Sequence, residues 1–566
     1  MRHVEARPGA YADSVTLMQV TATAQAVPGV RAALVAMATE LNLGLLAGLG
    51  LPAPDSAGQN DMLVAVEAAG EEALASALAA IDQALCARPA EHADGPAAQP
   101  PRTTLSAARR TGPALALISV PGPAAFAEAA DALEAGCDVM IFSDNMPVEQ
   151  EIWLKDRAEQ RGLLVMGPDC GTAVIGGVGL GFSHAVPAGP IGVVAASGTG
   201  AQQLICLLDA AGAGVSAVLG LGGRDLSAAV GGRSARAAVT ALDQDQDTEL
   251  IVLLSKPPDP QVASDLRAYA ETLATPVEFA LIGLGQPDLT AAAEAALRRL
   301  GHAIPRWPSR APSPDPPRAV EPEPPGAIRP EASGAVQPNP AGAVQPPSAV
   351  GPEPPGAVQP EPGSPGAPGA LRALFSGGTL CDEAMVIAAG RLGPVYSNIP
   401  LRPDWRTDPA ARIDQADRTD LAASRWAGGG RHIMIDFGDD ALTAGRPHPM
   451  IDLRLRLDRL TAEAADPATR VILLDVVLGY GAHPDPAAEF GPAIRAARSA
   501  AAGRDLAVVV SLIGARSDPQ DPGRQAALLA AAGAHVFASN AAAARFACDL
   551  AAGPGSAATA GIGGES

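Results

Sequence analysis

Apolar and polar positions alternate along this chain in three different ways, and the changes between them divide it. From about Pro113 to Ala303, unbroken apolar runs recur: "ALALISV", "DVMIFS", "GLLVMG", "IGVVAAS", "VSAVLGLG", "ELIVLLS" and "PVEFALIG". Helical segments separate most of them. Such runs joined by helical crossovers predict parallel strands covered on both faces. The same alternation returns after residue 370. "LRALFSGGTLCDEAMVIAAGRL" reads strand, glycine turn, helix, and "RHIMIDFG", "RVILLDVVLGYG", "LAVVVSLIG" and "HVFASN" read as further strands. Ahead of both lies a shorter pattern, about Asp13 to Leu85. There "SVTLMQVTA" and "DMLVAVEAA" are expected to be strands, and "VPGVRAALVAMATELN" and "EEALASALAAIDQAL" helices, a small α/β sandwich.

Two stretches carry no apolar period. "ARPAEHADGPAAQPPRT" reads as a linker, and residues 304–370, built on a repeated GAVQP-like unit, bury too little to offset ordering entropy. The expected organisation is a small domain over 1–95, a linker over 96–112, and α/β units over 113–187 and 188–303. A disordered linker over 304–370, a third α/β unit over 371–555 and a disordered tail over 556–566 complete it. The fold class is multidomain α/β.

Composition narrows the partners. A chain of 566 residues exceeds one hydrophobic core, and 61 acidic against 40 basic residues give a net charge of -21. That balance argues against nucleic acid or an anionic membrane, both of which reward a basic patch. The six cysteines form neither a disulfide framework nor zinc-finger spacing, and a metal site made from Asp and His would lack a recognised ligand spacing, so no metal is assigned. The start has no apolar h-region and no run of about 18 apolar residues stands uninterrupted, so a soluble cytoplasmic protein is expected.

Candidate chemistry sits at strand ends. In "GVVAASGTGAQQL" a strand runs into Ser197, Gly198, Thr199 and Gly200 and then a helix, an arrangement whose free N–H groups favour an anion. Gln203 occupies the third glycine position of a dinucleotide fingerprint and no Lys follows, so neither that motif nor a P-loop is present. "FSGGTLCDEA" repeats the device with Ser376, Gly377, Gly378 and Thr379, and puts Cys381 in the first helical turn. "MGPDCGTAVI" carries Asp169 and Cys170; the ordinary fate of such a lone thiol is burial. The densest polar cluster, "DFGDDALTAGRPHPMID", holds Asp436, Asp439, Asp440, Arg446, His448 and Asp452, and "DVVLGYGAHPDP" adds Asp475, His483 and Asp485. Arg446 offers a planar fork and His448 a titratable donor, so Arg446, His448 and Asp475 are the expected catalytic residues.

Read together, "SVPGPAAFAEAADALEAGCDVMIFSDNMP", "GLLVMGPDCGTAVI", "GPIGVVAASGTGAQQL" and "VLGLGGRDL" resemble the α subunit of succinyl-CoA synthetase. "GRPHPMIDLRLRLDRLTAEAADPATRVILLDVVLGYG" is similar to the ligase domain of its β subunit. One chain with both, together with "DSVTLM", "VAMATE", "SGGTLC" and "DFGDD", resembles the FdrA group of acyl-CoA-synthetase-like proteins. The resemblance implies a Rossmann-like CoA-binding-type domain over 113–187 and flavodoxin-like ligase domains over 188–303 and 371–555. It also implies substrate or CoA contacts at Pro121, Asn145, Asp169, Cys170, Gly222 and Gly223.

The departures are specific. The loop that carries a phosphorylated His in the family reads "LGQPDLTAAAEAAL" here, and the "GHAI" of His302 lies beyond the following helix. The Glu that pairs with that His is replaced by Gln203. The glycine-rich first turn of the CoA-binding domain and the ATP-grasp domain are missing, and the two lysines, Lys155 and Lys256, stand in no nucleotide setting. Three functions remain: a ligase using acyl phosphate and CoA, without a covalent phosphohistidine; a subunit of an oxamate carbamoyltransferase in allantoin breakdown, the activity associated with the FdrA group, working with other subunits on carbamoyl phosphate that arrives ready-made; or a non-catalytic scaffold.

Overall fold

The computed structural model describes residues 1–12, 14–39, 42–43, 46, 51–52, 54, 57–58, 61–86, 101–112, 114–313, 369–407, 430–443, 447–501 and 504–553. The first domain runs β1 (Arg2–Arg7), α1 (Ser14–Gln25), β2 (Val30–Met37), β3 (Met62–Ala68) and α2 (Glu71–Cys86), with an antiparallel sheet in the order β1-β3-β2. Two expectations are reversed here. "SVTLMQVTA" lies in a helix, because Leu17, Val20, Thr21 and Ala24 are buried at spacings of three and four along one face. "VRAALVAM" is a strand that starts after Gly29 (φ +89°) and buries Ala33 and Val35 from one face.

A short helix, α3 (Thr104–Thr111), falls in the expected linker and is capped by a Thr103–Ser106 capping box. A small parallel sheet follows, of β4 (Leu115–Ile118), β5 (Asp138–Ile141) and β6 (Val165–Met166), with α4 (Gly122–Glu134) and α5 (Val148–Arg161). The next sheet has six strands, β7 (Thr172–Ile175), β8 (Val178–Gly181), β9 (Ala188–Ala196), β10 (Val215–Gly220), β11 (Leu250–Ser255) and β12 (Val277–Leu281), in the order β12-β11-β9-β10-β7-β8. Its helices are α6 (Gly198–Ala210), α7 (Arg233–Asp243), α8 (Pro260–Ala270) and α9 (Leu289–Arg299). Residues 172–181 were expected with the preceding unit, yet β7 pairs antiparallel with β10 and so belongs to this sheet.

The C-terminal sheet has seven strands: β13 (Ser309–Arg310), β14 (Ala370–Phe375), β15 (Val395–Tyr396), β16 (His432–Asp436), β17 (Thr469–Val477), β18 (Ala507–Ile513) and β19 (Ala534–Phe537). Their order is β13-β19-β18-β17-β14-β16-β15. Its helices are α10 (Gly378–Leu392), α11 (Asp440–Thr443), α12 (Arg454–Ala465), α13 (Pro486–Ala500), α14 (Pro522–Ala531) and α15 (Asn540–Ala552). Residues 304–313, expected to be linker, are ordered: β13 pairs antiparallel with β19, and Trp307 Nε1 donates to Glu294 Oε1 at 2.9 Å. The chain therefore crosses onto the C-terminal sheet before residue 314.

The two large sheets share one core, in which Leu204, Leu208 and Leu254 pack in the same cluster as Phe375, Leu380, Met385 and Ile513. Buried polar contacts fix the register between them. Gln203 uses both ends of its amide, donating to Ala538 O (3.0 Å) and accepting from Asn540 N–H (2.9 Å). His184 Nδ1 meets Asp518 Oδ2 at 2.6 Å, and Arg516 pairs with Asp209 at 3.1 Å. Among the described residues no helix is long and apolar enough to cross a membrane.

A protease site inserted near residue 340 should yield, after cleavage, two fragments that co-elute on size exclusion. Gln203→Glu should weaken that association at pH 8 by about 1–3 kcal/mol, because a carboxylate oxygen would oppose Ala538 O. The loss should shrink at pH 5, where a protonated Glu can donate.

Candidate active site

The two Ser-Gly turns, read from the sequence as separate candidate anion sites, meet in the structure. Buried β9 delivers Ser197, whose Oγ accepts from Gly200 N–H (3.0 Å) and caps α6. The same hydroxyl donates to Thr379 Oγ1 (2.7 Å) at the start of α10. Glycine is required on both sides. A Cβ on Gly377 would stand 2.5 Å from Thr199 Oγ1, and one on Gly200 would stand 2.8 Å from Leu254 Cδ2. Two helix N-termini, each worth roughly half a positive charge, thus abut.

Around them stand titratable groups from several elements. Lys256 follows the last residue of β11, and Asp436 ends β16. Lys256 Nζ and Asp436 Oδ2 each lie 2.8 Å from where a Cβ on Gly378 would be, so they flank the space left by that missing side chain. Burial pushes the Asp436 carboxyl up to about 7, although Lys256 and the Gly438 N–H (2.8 Å from Oδ1) favour its charged form. Burial likewise pushes Asp382, on α10, up to about 6. His448 is held down to about 4 by burial and by Arg456, and its Nδ1 accepts from Met450 N–H (3.2 Å). The neutral ring therefore carries its proton on Nε2, which lies 3.2 Å from the Cβ position of Gly438.

Asp475, expected to be catalytic, does a different job. It is fully buried, accepts from Ser376 N–H (2.8 Å) and Ser376 Oγ (2.9 Å), and pairs with buried Arg456 at 2.6 Å. With its oxygens occupied it positions the second turn. Arg446 lies outside the described residues. Of the rest of that cluster, Asp439 accepts from Ala441 N–H, Asp452 pairs with Arg454, and Asp485 pairs with Arg524. Cys381 is buried and its thiol is pushed well above the ordinary range.

Pro121, Asn145, Asp169, Cys170, Gly222 and Gly223 gather at the C-terminal ends of β4, β5, β6 and β10. Ser143 Oγ donates to Val120 O, Asp169 N–H to Ser143 O (3.0 Å), and a Cβ on Gly222 would collide with Pro168 O. Asn145 and Asp169 take positive φ (56° and 59°), which their short polar side chains tolerate. Cys170 lies behind this group, buried with its thiol pushed up to about 12, which removes it as a nucleophile. Phe182 stacks at 5.2 Å on His448 and at 5.8 Å on Phe142, so an aromatic row joins this loop group to the paired turns.

Sequence reading missed Lys256 and Asp382 as parts of the site. Lys256 had a legible signal, since it stands directly at the carboxyl end of an apolar strand, where α/β folds place ligands. Lys155 is the other case: it is buried in ion pairs with Glu151 (2.7 Å) and Asp225 (2.8 Å) and holds α5 in place.

This is the architecture of an acyl-CoA-synthetase-like α/β protein, and comparison with known sequences narrows it. The CoA-ligase family matches residues 374–550, and a family described as AllF, heavy metal-associated domain, matches residues 1–101. The protein YahF of Escherichia coli (strain K12) is 35% identical over 540 residues, 94% of this chain and 95% of its own. The chain belongs to that family of FdrA-like proteins related to succinyl-CoA synthetase. The α subunit of the ADP-forming succinate–CoA ligase of Aquifex aeolicus is 29% identical over 160 residues, 27% of this chain, which spans about half (51%) of that relative. The solved acetyl-coenzyme A synthetase 1 of Ca. Korarchaeum cryptofilum aligns over 77% of this chain and 84% of its own, at 12% identity and a TM-score of 0.24.

The description of the family that matches residues 1–101 raises a heavy metal. Soft metals are held by thiolates, and residues 1–101 contain one cysteine, Cys86, exposed at the end of α2. Among the described residues no group of three or more His, Cys, Asp or Glu is placed to hold an ion. The described residues do not fit a heavy metal.

Next to the paired turns, Glu383 accepts from Leu289 N–H (2.6 Å) and Asn540 Nδ2 (2.7 Å), and burial pushes its carboxyl from 4.5 up to about 7. Folded chains thus carry a proton that unfolded chains have lost between those values. Stability should fall as pH rises through that window, by up to ~1.4 kcal/mol per pH unit for this group. Glu383→Gln should flatten that slope in denaturant titrations run from pH 5 to 7.5.

Proposed function

We propose that this chain is the acyl-phosphate-handling subunit of a transferase related to the CoA ligases, and that its substrate arrives as a ready-made mixed anhydride, carbamoyl phosphate foremost. The observation that carries this reading is the Ser197–Thr379 hydrogen bond, which brings two helix N-termini together beside Lys256. Backbone N–H groups of Gly198–Gly200 and Gly377–Thr379 would take the phosphate oxygens, with Lys256 as counter-charge. The Nε2–H of His448 would polarise the carbonyl oxygen. Arg446 keeps its expected role as an anion clamp.

A covalent phosphohistidine has no place in this reading. The loop "LGQPDLTAAAEAAL" holds no His. Gln203, at the position of the family's Glu partner, has both amide ends engaged with the C-terminal half. The match of the first domain to an AllF family favours carbamoyl transfer to oxamate, with further protein subunits supplying the remaining parts. The CoA-ligase match supports a second reading, in which an acyl phosphate is passed to CoA entering over the loops of Pro121, Asn145, Asp169, Cys170, Gly222 and Gly223.

Phosphate release assays with the companion subunits present separate the two: carbamoyl phosphate with oxamate against succinyl or acetyl phosphate with CoA. Gly377→Ala and Lys256→Met should each cut the productive rate at least tenfold, and Arg446→Ala should lower it as well. Incubation with labelled ATP should leave no phosphoryl label on the protein. Label on any His, or full activity in Lys256→Met, overturns the reading.

A further inference from the structure

Resting on that reading, we propose that Asp436 is the proton relay of the site, taking the proton of the attacking nucleophile and passing it to the departing phosphate. The geometry comes first. Asp436 Oδ2 borders the space above Gly378 at the N-terminus of α10, opposite Lys256 Nζ. A phosphate drawn there by the helix N-terminus and by Lys256 lies against that carboxyl. Its other oxygen is fixed by the Gly438 N–H, so Oδ2 faces the space while Oδ1 is anchored.

Both readings of the substrate demand the same proton transfer. The nitrogen of a neutral amide or the sulfur of a thiol attacks the carbonyl carbon of the anhydride, a C–N or C–S bond forms, the N–H or S–H bond breaks, and the bond from that carbon to the oxygen bridging to phosphorus breaks. The electron pair leaves with phosphate, which would depart as a trianion unless protonated. The nucleophile's proton is the one that must reach it, giving monohydrogen phosphate with no net uptake or release. A carboxyl that touches the phosphate and stands between the two states near neutrality can carry it.

The groups facing Asp436 are consistent with that duty. Lys256 approaches from β11 and favours the ionised form. Asp382 from α10 and Asp439 from the turn after β16 oppose it. Arg456 lies beyond on α12, already paired with Asp475, and His448 stays neutral across Gly438. A phosphate dianion arriving beside Asp436 raises its proton affinity further, so binding of inorganic phosphate alone should draw a proton from solution.

Two measurements test this on the full chain. Calorimetric titration with inorganic phosphate at pH 7.5, in buffers of different ionisation enthalpy, should show proton uptake on binding; Asp436→Asn should still bind phosphate, within about threefold, and take up none. In the assembled enzyme Asp436→Asn should lower kcat by about 100-fold or more. KM for the acyl phosphate should change little, and the acid limb of the pH–rate profile near neutrality should vanish. Phosphate binding without proton uptake, or an unchanged kcat in Asp436→Asn, overturns the relay while leaving the phosphate site intact. No phosphate binding by wild type, or binding unaffected by Lys256→Met, overturns the site itself.

Discussion

The close approach of two glycine turns is the constraint on which the rest of this molecule depends. Ser197 and Thr379 come from sheets that are separate in the chain, yet their hydroxyls share a hydrogen bond of 2.7 Å. Helix N-termini repel one another unless something negative lies between them or their flanks are held. Here the flanks are held: Leu204, Leu254, Phe375 and Leu380 share one core, and Gln203, Glu383 and Asn540 close it with buried hydrogen bonds. The carboxyls of Asp436 and Asp382 then stand near two positive helix ends in a dry setting that disfavours their own charge. Packing that serves stability elsewhere serves electrostatics here.

Much of this was legible in the residues. The apolar runs from Leu115 to Leu281 gave parallel strands, and both Ser-Gly turns could be placed at strand-to-helix junctions. What the chain order concealed was that Thr199 and Gly377 are neighbours, since nothing local encodes contact across 170 or more residues. The first domain misled for the opposite reason. "SVTLMQV" alternates like a strand over a short window, and only the packed face of Leu17, Val20 and Ala24 shows the helical spacing. Asp475 looked catalytic because an acid at a strand end often is; its oxygens are instead committed to Ser376 and Arg456. Lys256 was discounted because no nucleotide motif surrounds it, although the position alone, just past a buried strand, was the better guide.

The family relation and the departures from it fit together physically. On the reading proposed above, a site that carries no phosphoryl group on an imidazole would have no use for an acidic partner to steady that imidazole. Gln203 can then serve as a two-ended clamp between halves, which a Glu in the same place could do only when protonated. At this position the difference between the two side chains is a single exchange of oxygen for nitrogen, and the nitrogen is the atom that donates to Ala538 O.

The two-residue strand β13 has a consequence for how this architecture can vary. By pairing with β19 it anchors the end of the first half on the sheet of the second. The effective concentration of one turn at the other is therefore set by that pairing and the shared core, and on either side of residues 314–368 the chain lies in strands of one sheet, β13 and β14. Counted as an unconstrained loop, doubling such a segment costs only ~0.6 kcal/mol. With β13 and β14 both held in that sheet, a change of length between them would leave the two glycine turns in register.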